Sequence, residues 1–114
     1  MRASADNRGS KETDMADGLI LEFEGVGLDN YERVNGKLGI DMESGEGDWP
    51  QGLLFHSAGA KEGGFVVYEV WASQGDQERF MEGRLGQALQ EGGVDAPPVR
   101  AEWLNLAAAR DLGL

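Results

Sequence analysis

At 114 residues, with 40% apolar and 27% charged side chains, the chain is sized for one small globular domain. Its 21 acidic and 10 basic side chains give a net charge of −11, which suits solubility and disfavours nucleic acid and anionic membrane surfaces as partners. With no cysteine and a single histidine, the chain excludes disulfides, thiolate nucleophiles, Cys-ligated clusters and, within one chain, a multi-histidine zinc site.

Residues 1–17 contain no aromatic residue, and Thr13 is their one β-branched residue, so a disordered tail is expected there. Met15 offers an alternative start. The tail has no apolar core of a signal peptide, and no run in the chain approaches the roughly 20 apolar residues that span a bilayer. A cytoplasmic protein is the expectation.

A first strand is predicted over residues 19–25, where Leu19, Leu21 and Phe23 alternate with Ile20, Glu22 and Glu24. A helix follows over residues 28–38, with Leu28, Tyr31, Val34 and Leu38 at helical spacing. Asp29 in its first turn and Lys37 in its last complement the helix dipole. Residues 40–51 read as an acidic connection in which Pro50 forbids strand continuity and Trp49 stands out. That tryptophan caps a core, closes a pocket or sits at a subunit contact. Two strands, residues 53–58 and 65–72, then form a hairpin around a glycine-bearing loop at residues 59–64.

Ser73 and Asp76 make a weak capping box for a second helix. Phe80, Met81, Arg84, Leu85, Ala88 and Leu89 draw an apolar stripe along it, broken by Arg84, whose stem can lie on the stripe. Gly92 and Gly93 end it. The last strand is predicted over residues 99–106, and residues 107–114 have the length for a helical turn or two. The domain is thus expected over residues 18–107, with 108–114 as a C-terminal tail.

The order β-α-β-β-α-β is that of a ferredoxin-like α+β fold, with a four-stranded antiparallel sheet and both helices on one face. Phe55, Trp71 or Trp103 on the uncovered face would form an apolar patch, for which a homodimer is the expected remedy. Neither a dinucleotide-binding glycine pattern nor an EF-hand ligand order is present.

The pieces GLLFHSAG, EGGFVVYEVWAS and ERFMEGRLGQAL resemble a mostly actinobacterial family of small dimeric α/β-barrel proteins in the superfamily of the antibiotic-biosynthesis monooxygenases. His56, Gly63-Gly64-Phe65, Glu69-Val70-Trp71, Arg79-Phe80 and Arg84-Leu85 carry the resemblance, which spans residues 19–106. Glu69 stands where the family has Asp, and Ala72 where it has an acid. The resemblance implies two ferredoxin-like subunits sharing a barrel, with a ligand cavity between sheet and helices or at the barrel mouth. Activities in the superfamily range from cofactor-independent oxygenation of aromatic polyketides to haem degradation, cyclisation and isomerisation.

An oxygenase without cofactor needs a base that ionises a phenolic or enolic substrate, donors for the developing anion, and a pocket poor in water. His56 is the candidate base and Glu69 the carboxylate that orients it, if the hairpin register puts both on one face. Tyr68 or Arg100 is the candidate donor, and Phe55, Phe65, Trp71 and Trp103 are candidate contacts for a hydrophobic substrate. The same parts serve a cyclase or isomerase, or a non-catalytic protein that binds a small hydrophobic molecule. His56 has a purely structural alternative too, as a histidine bonded at a sheet edge. No cofactor or metal is expected; haem with His56 as axial ligand is a third alternative.

Overall fold

The computed structural model describes residues 16–110. The tail predicted over residues 1–17 therefore falls mostly outside the described residues, as do residues 111–114. Its last two positions belong to the fold: Ala16 is fully buried and Asp17 opens the first strand, so the domain begins before residue 18. Residues 106–110 carry no helical turn.

Strand β1 (Asp17–Glu24) leads through Gly27, whose N–H donates to Asn30 Oδ1, into helix α1 (Leu28–Leu38). Gly39, at φ 77°, closes α1 in the left-handed conformation that glycine adopts without steric cost. The acidic connection is more ordered than its composition suggests. Short strands β2 (Ile40–Asp41) and β3 (Glu46–Gly47) pair as a strap just beyond the C-terminal end of α1.

Strands β4 (Leu53–Lys61) and β5 (Gly64–Trp71) form the central hairpin. Residues 59–61, predicted as loop, continue β4, and the turn is only Glu62 and Gly63. Gly63 has φ 80°, and a Cβ on Gly64 would collide with the Phe23 carbonyl of β1, so the sequence Gly63-Gly64-Phe65 is a backbone requirement.

Ser73 caps α2 (Gln74–Phe80) by accepting the Asp76 N–H at 3.2 Å. The second helix is not continuous: a π-helical turn at Met81–Leu85 separates α2 from α3 (Gly86–Glu91). Strand β6 (Arg100–Asn105) completes an antiparallel sheet of order β4-β5-β1-β6. The result is the ferredoxin-like α+β fold, with one sheet and its helices packed on one face. None of the helices among the described residues is long and apolar enough to cross a membrane.

Alternation sorts the sheet into two faces. Leu19, Leu21, Phe23, Phe65, Val67 and Trp71 are buried against Val34, Leu38 and Ala88 from the helices. Burying each large apolar side chain of this set contributes about 1.5–3 kcal/mol over leaving it in water. The opposite face carries Ile20, Val66, Tyr68, Val70 and Phe55. Trp71 and Trp103 are not on that face. Trp71 is fully buried on the helix side, and Trp103, paired across from Leu19, packs there half-buried.

Candidate functional site

The site begins with a fault in the sheet. Leu53 lies opposite Trp71 and His56 opposite Glu69, so β4 spends one more residue than β5 over that interval. This β-bulge turns both Leu53 and His56 toward the helices, where strict alternation would send one of them away. Leu54 and Phe55 absorb the irregularity and stay exposed.

His56 then meets partners on both ring nitrogens. Its Nδ1 lies 2.7 Å from Glu69 Oε2, and its Nε2 lies 2.7 Å from the Tyr31 hydroxyl, which reaches over from α1. The other Glu69 oxygen, Oε1, accepts the Trp71 indole N–H at 2.9 Å. A carboxylate only accepts, so a neutral His56 carries its proton on Nδ1, leaving Nε2 as acceptor for the Tyr31 O–H. Four side chains from three positions in the sheet and one in a helix thus form one hydrogen-bonded chain, Tyr31–His56–Glu69–Trp71. Glu69 is only 8% exposed, yet both of its oxygens are satisfied, as a buried carboxylate requires.

Burial pushes the Tyr31 hydroxyl above its ordinary value of 10.0; a hydrogen bond from Asn35 opposes the rise and the Glu69 charge adds to it. Tyr31 therefore remains a proton donor through the neutral range. Its ring leans on Phe65, centroids 5.1 Å apart, which holds the hydroxyl in place.

Tyr31, Asn35, His56, Glu69 and Phe65 line a cavity between the sheet and the helices, otherwise walled by aliphatic and aromatic side chains. About 80 Å³ of it is open to the centre of a water-sized sphere. At roughly 10–15 Å³ per water on this measure, that is room for several waters or one aromatic ring. Trp49 and Pro50, at the end of the strap, close one side, with the Trp49 and His56 rings 5.9 Å apart. Arg84, presented by the π-helical turn, holds this strap: it donates to the Leu38 carbonyl at 2.9 Å and the Asp48 carbonyl at 2.6 Å, and lies 5.5 Å from the Phe80 ring centre.

The structure brings together only part of the predicted set. His56, Glu69 and Phe65 meet at the cavity, and Trp71 supports Glu69 from beneath without lining it. Tyr68 lies on the opposite face, next to Phe55 at 6.3 Å between ring centres, because neighbours of Glu69 along a strand point the other way. Phe55 shares that face because of the bulge. Arg100 sits exposed on the outer strand, paired with Glu102 at 2.6 Å, and Trp103 does not reach the cavity. In the sequence Tyr31 shows only as part of an apolar helix stripe. Among the described residues no three His, Asp or Glu side chains gather for a metal ion. Haem ligation by His56 Nε2 would have to displace Tyr31.

No known protein family profile matches the chain, and a search of curated proteins finds no match. Solved structures do resemble it. One is a protein assigned as an antibiotic biosynthesis monooxygenase from Chloroflexus aurantiacus J-10-fl, with TM-score 0.59, 13% identity, and 86% of this chain and 99% of that one covered. Another is SnoaB, a cofactor-independent oxygenase from Streptomyces nogalater, in a single-substitution variant, with TM-score 0.54, 12% identity, and 88% and 99% covered. At these identities the likeness establishes the ferredoxin-like fold of the antibiotic biosynthesis monooxygenases, and nothing finer.

Proposed function

We propose that this protein is a small cofactor-independent oxygenase, or a proton-transfer enzyme of the cyclase or isomerase type, acting on an aromatic or polyketide-like metabolite of natural-product biosynthesis. One observation carries the reading: the single histidine is held between a buried carboxylate and a phenol at the wall of an apolar cavity. A histidine with a bland structural role needs one partner; this one has a carboxylate on Nδ1 and a phenol on Nε2, beside an apolar cavity.

In this reading Glu69 fixes the imidazole tautomer and stabilises the imidazolium that forms. His56 takes the substrate's acidic proton, and the electron pair stays behind as an enolate or phenolate with carbanion character. Tyr31 and Asn35 supply hydrogen-bond donors for the anion, and the apolar lining keeps competing water low. In an oxygenase the carbanion passes one electron to O₂, the radical pair combines into a C–O bond, and the resulting peroxide loses water to leave a carbonyl. In a cyclase or isomerase the proton returns to a different atom. A single ring fits the cavity as it stands, and a fused system needs more room than it offers.

The proposal includes a homodimer formed through the open sheet face. Ile20, Val66, Tyr68, Val70 and Phe55 give that face an apolar centre that a monomer would leave in water.

The test is aerobic incubation with mono- to tricyclic hydroxyaromatics, following oxygen uptake and product. Wild type is expected to turn over at least one, and His56→Ala to lose about 10²–10⁴-fold in rate. Oxygen uptake undiminished in a folded His56→Ala would overturn the reading. Tight binding with neither oxygen uptake nor rearrangement of any compound would leave a binding protein instead.

A further inference from the structure

The basic atom of the site is not free. With Nδ1–H committed to Glu69, the only lone pair on His56 is at Nε2, and that atom already accepts the Tyr31 hydroxyl at 2.7 Å. The two rings are parallel within 3° with centroids 5.9 Å apart, so the hydroxyl meets the imidazole at its edge, where the lone pair lies. Tyr31 is not easily pushed aside. Its ring packs on Phe65, and its helix is tied at the start by Asn30, which donates to the Gly92 carbonyl at 3.0 Å. The phenolic oxygen, unlike Nε2, has a second lone pair beyond the one that the Asn35 hydrogen bond takes, and both Tyr31 and Asn35 line the cavity.

We infer that Tyr31 is a catalytic residue through which the proton travels: the substrate presents an ionisable hydroxyl to the Tyr31 oxygen, and Tyr31 passes its own proton to His56 Nε2. The inference rests on His56 being the base, as proposed above, but not on oxygen being the co-substrate. The bonds balance as follows. The substrate O–H breaks and a new Tyr31 O–H forms, while the old Tyr31 O–H breaks and Nε2–H forms. The electron pair remains on the substrate oxygen. Tyr31 ends neutral, with its new proton donated to the oxyanion, and the charge pair is imidazolium and Glu69 carboxylate.

The relay selects the substrate. A chain of this kind passes protons between hydrogen-bonded oxygens and nitrogens, and a C–H bond makes only weak hydrogen bonds. The preferred substrate is therefore a phenol or enol, with the acidic proton on oxygen, and a carbon acid that cannot enolise is excluded.

Para-nitrophenol tests the step without any turnover, because its ionised form is yellow and it carries one aromatic ring. Bound to wild type, it is expected to ionise at a pH below its own ionisation in water. The nitrogen resonances of the sole histidine should change at the same time to those of a doubly protonated ring. Tyr31→Phe should bind the probe, leave it neutral and His56 unprotonated, and lose about 10²–10⁴-fold in turnover of any substrate. Equal ionisation in wild type and Tyr31→Phe would overturn the relay, since the proton would then go straight to His56; so would a wild type that binds the probe only in neutral form. Should Tyr31→Phe fail to fold, ring-fluorinated tyrosine in the Tyr68→Phe background leaves one label, at Tyr31. Its fluorine resonance should move when the probe binds, and an unmoved resonance overturns the contact. Ionisation of the probe with no oxygen uptake on any substrate would sink the oxygenase reading and leave the relay standing.

Discussion

Trp71 donates its indole N–H to Glu69 Oε1 at 2.9 Å from two residues further along the same strand. The carboxylate is thereby fixed by its own strand before it meets His56, and its second oxygen is aimed across the hairpin. Trp71→Phe keeps an aromatic ring against Phe80 but strips one buried carboxylate oxygen of its donor. A loss of about 1–3 kcal/mol in stability is expected, measured by denaturant unfolding, with turnover falling less than in His56→Ala. Unchanged stability would mean water replaces the indole without cost.

Arg84 is the fastening of the strap. Its guanidinium reaches two backbone carbonyls and lies 3.3 Å from the Asp48 carboxylate, a pair well open to solvent and so weak in itself. Arg84→Met keeps an unbranched apolar stem but removes these bonds and the cation beside the Phe80 ring. Amide hydrogens of residues 40–49 are expected to exchange about tenfold faster, at a global cost of about 1 kcal/mol. Exchange as slow as in wild type would show that the strap is held by Trp49 and Pro50 alone.

Assembly can be tested on the open face. Light scattering at micromolar concentration should give about twice the 12.3 kDa chain mass. Val66→Glu places a charge amid Ile20, Tyr68 and Val70, and should yield a folded monomer whose cavity still binds para-nitrophenol. A wild type that runs at the mass of one chain would rule out pairing through this face.

Tyr31 also predicts an alkaline limit. Its folded-state ionisation is raised above 10.0, first by burial, so folding favours the protonated phenol. The associated stability is fully present below the unfolded value and declines as pH rises toward the folded one. The chain has two tyrosines, so an ultraviolet titration should show a late tyrosinate step that Tyr31→Phe removes. The same variant should lose stability less steeply than wild type at high pH. A Tyr31 that ionises at the ordinary phenol value would contradict the buried placement.

Much of the fold is legible in local pattern. The span of α1, the Ser73 cap and the order of the four long strands follow from spacing and turn residues alone. The alternation of β5 already separates Glu69 from Tyr68, so a site holding both on His56 was inconsistent with the strand that carries them. The bulge in β4 left no mark, because Leu53, Leu54 and Phe55 are all apolar and give no phase. Its effect, turning His56 inward and Phe55 outward, arises only when the strand is paired. Tyr31 was hidden for a different reason: its hydroxyl partner lies 25 residues away, and at helical spacing a tyrosine reads as one more core contact. The π-helical turn that presents Arg84 is likewise invisible in a stripe that remains apolar on both sides of it.

The central claim is that His56 removes a proton from a ligand in this cavity, and it can be read without oxygen. Phloroglucinol, a one-ring polyphenol, exchanges its ring hydrogens with solvent through its ionised form. In deuterated buffer under nitrogen, wild type is expected to speed this exchange, followed by proton NMR, and His56→Ala to lose about 10²–10⁴-fold of the acceleration while keeping its fold. A folded His56→Ala that exchanges the ring hydrogens as fast as wild type would contradict it.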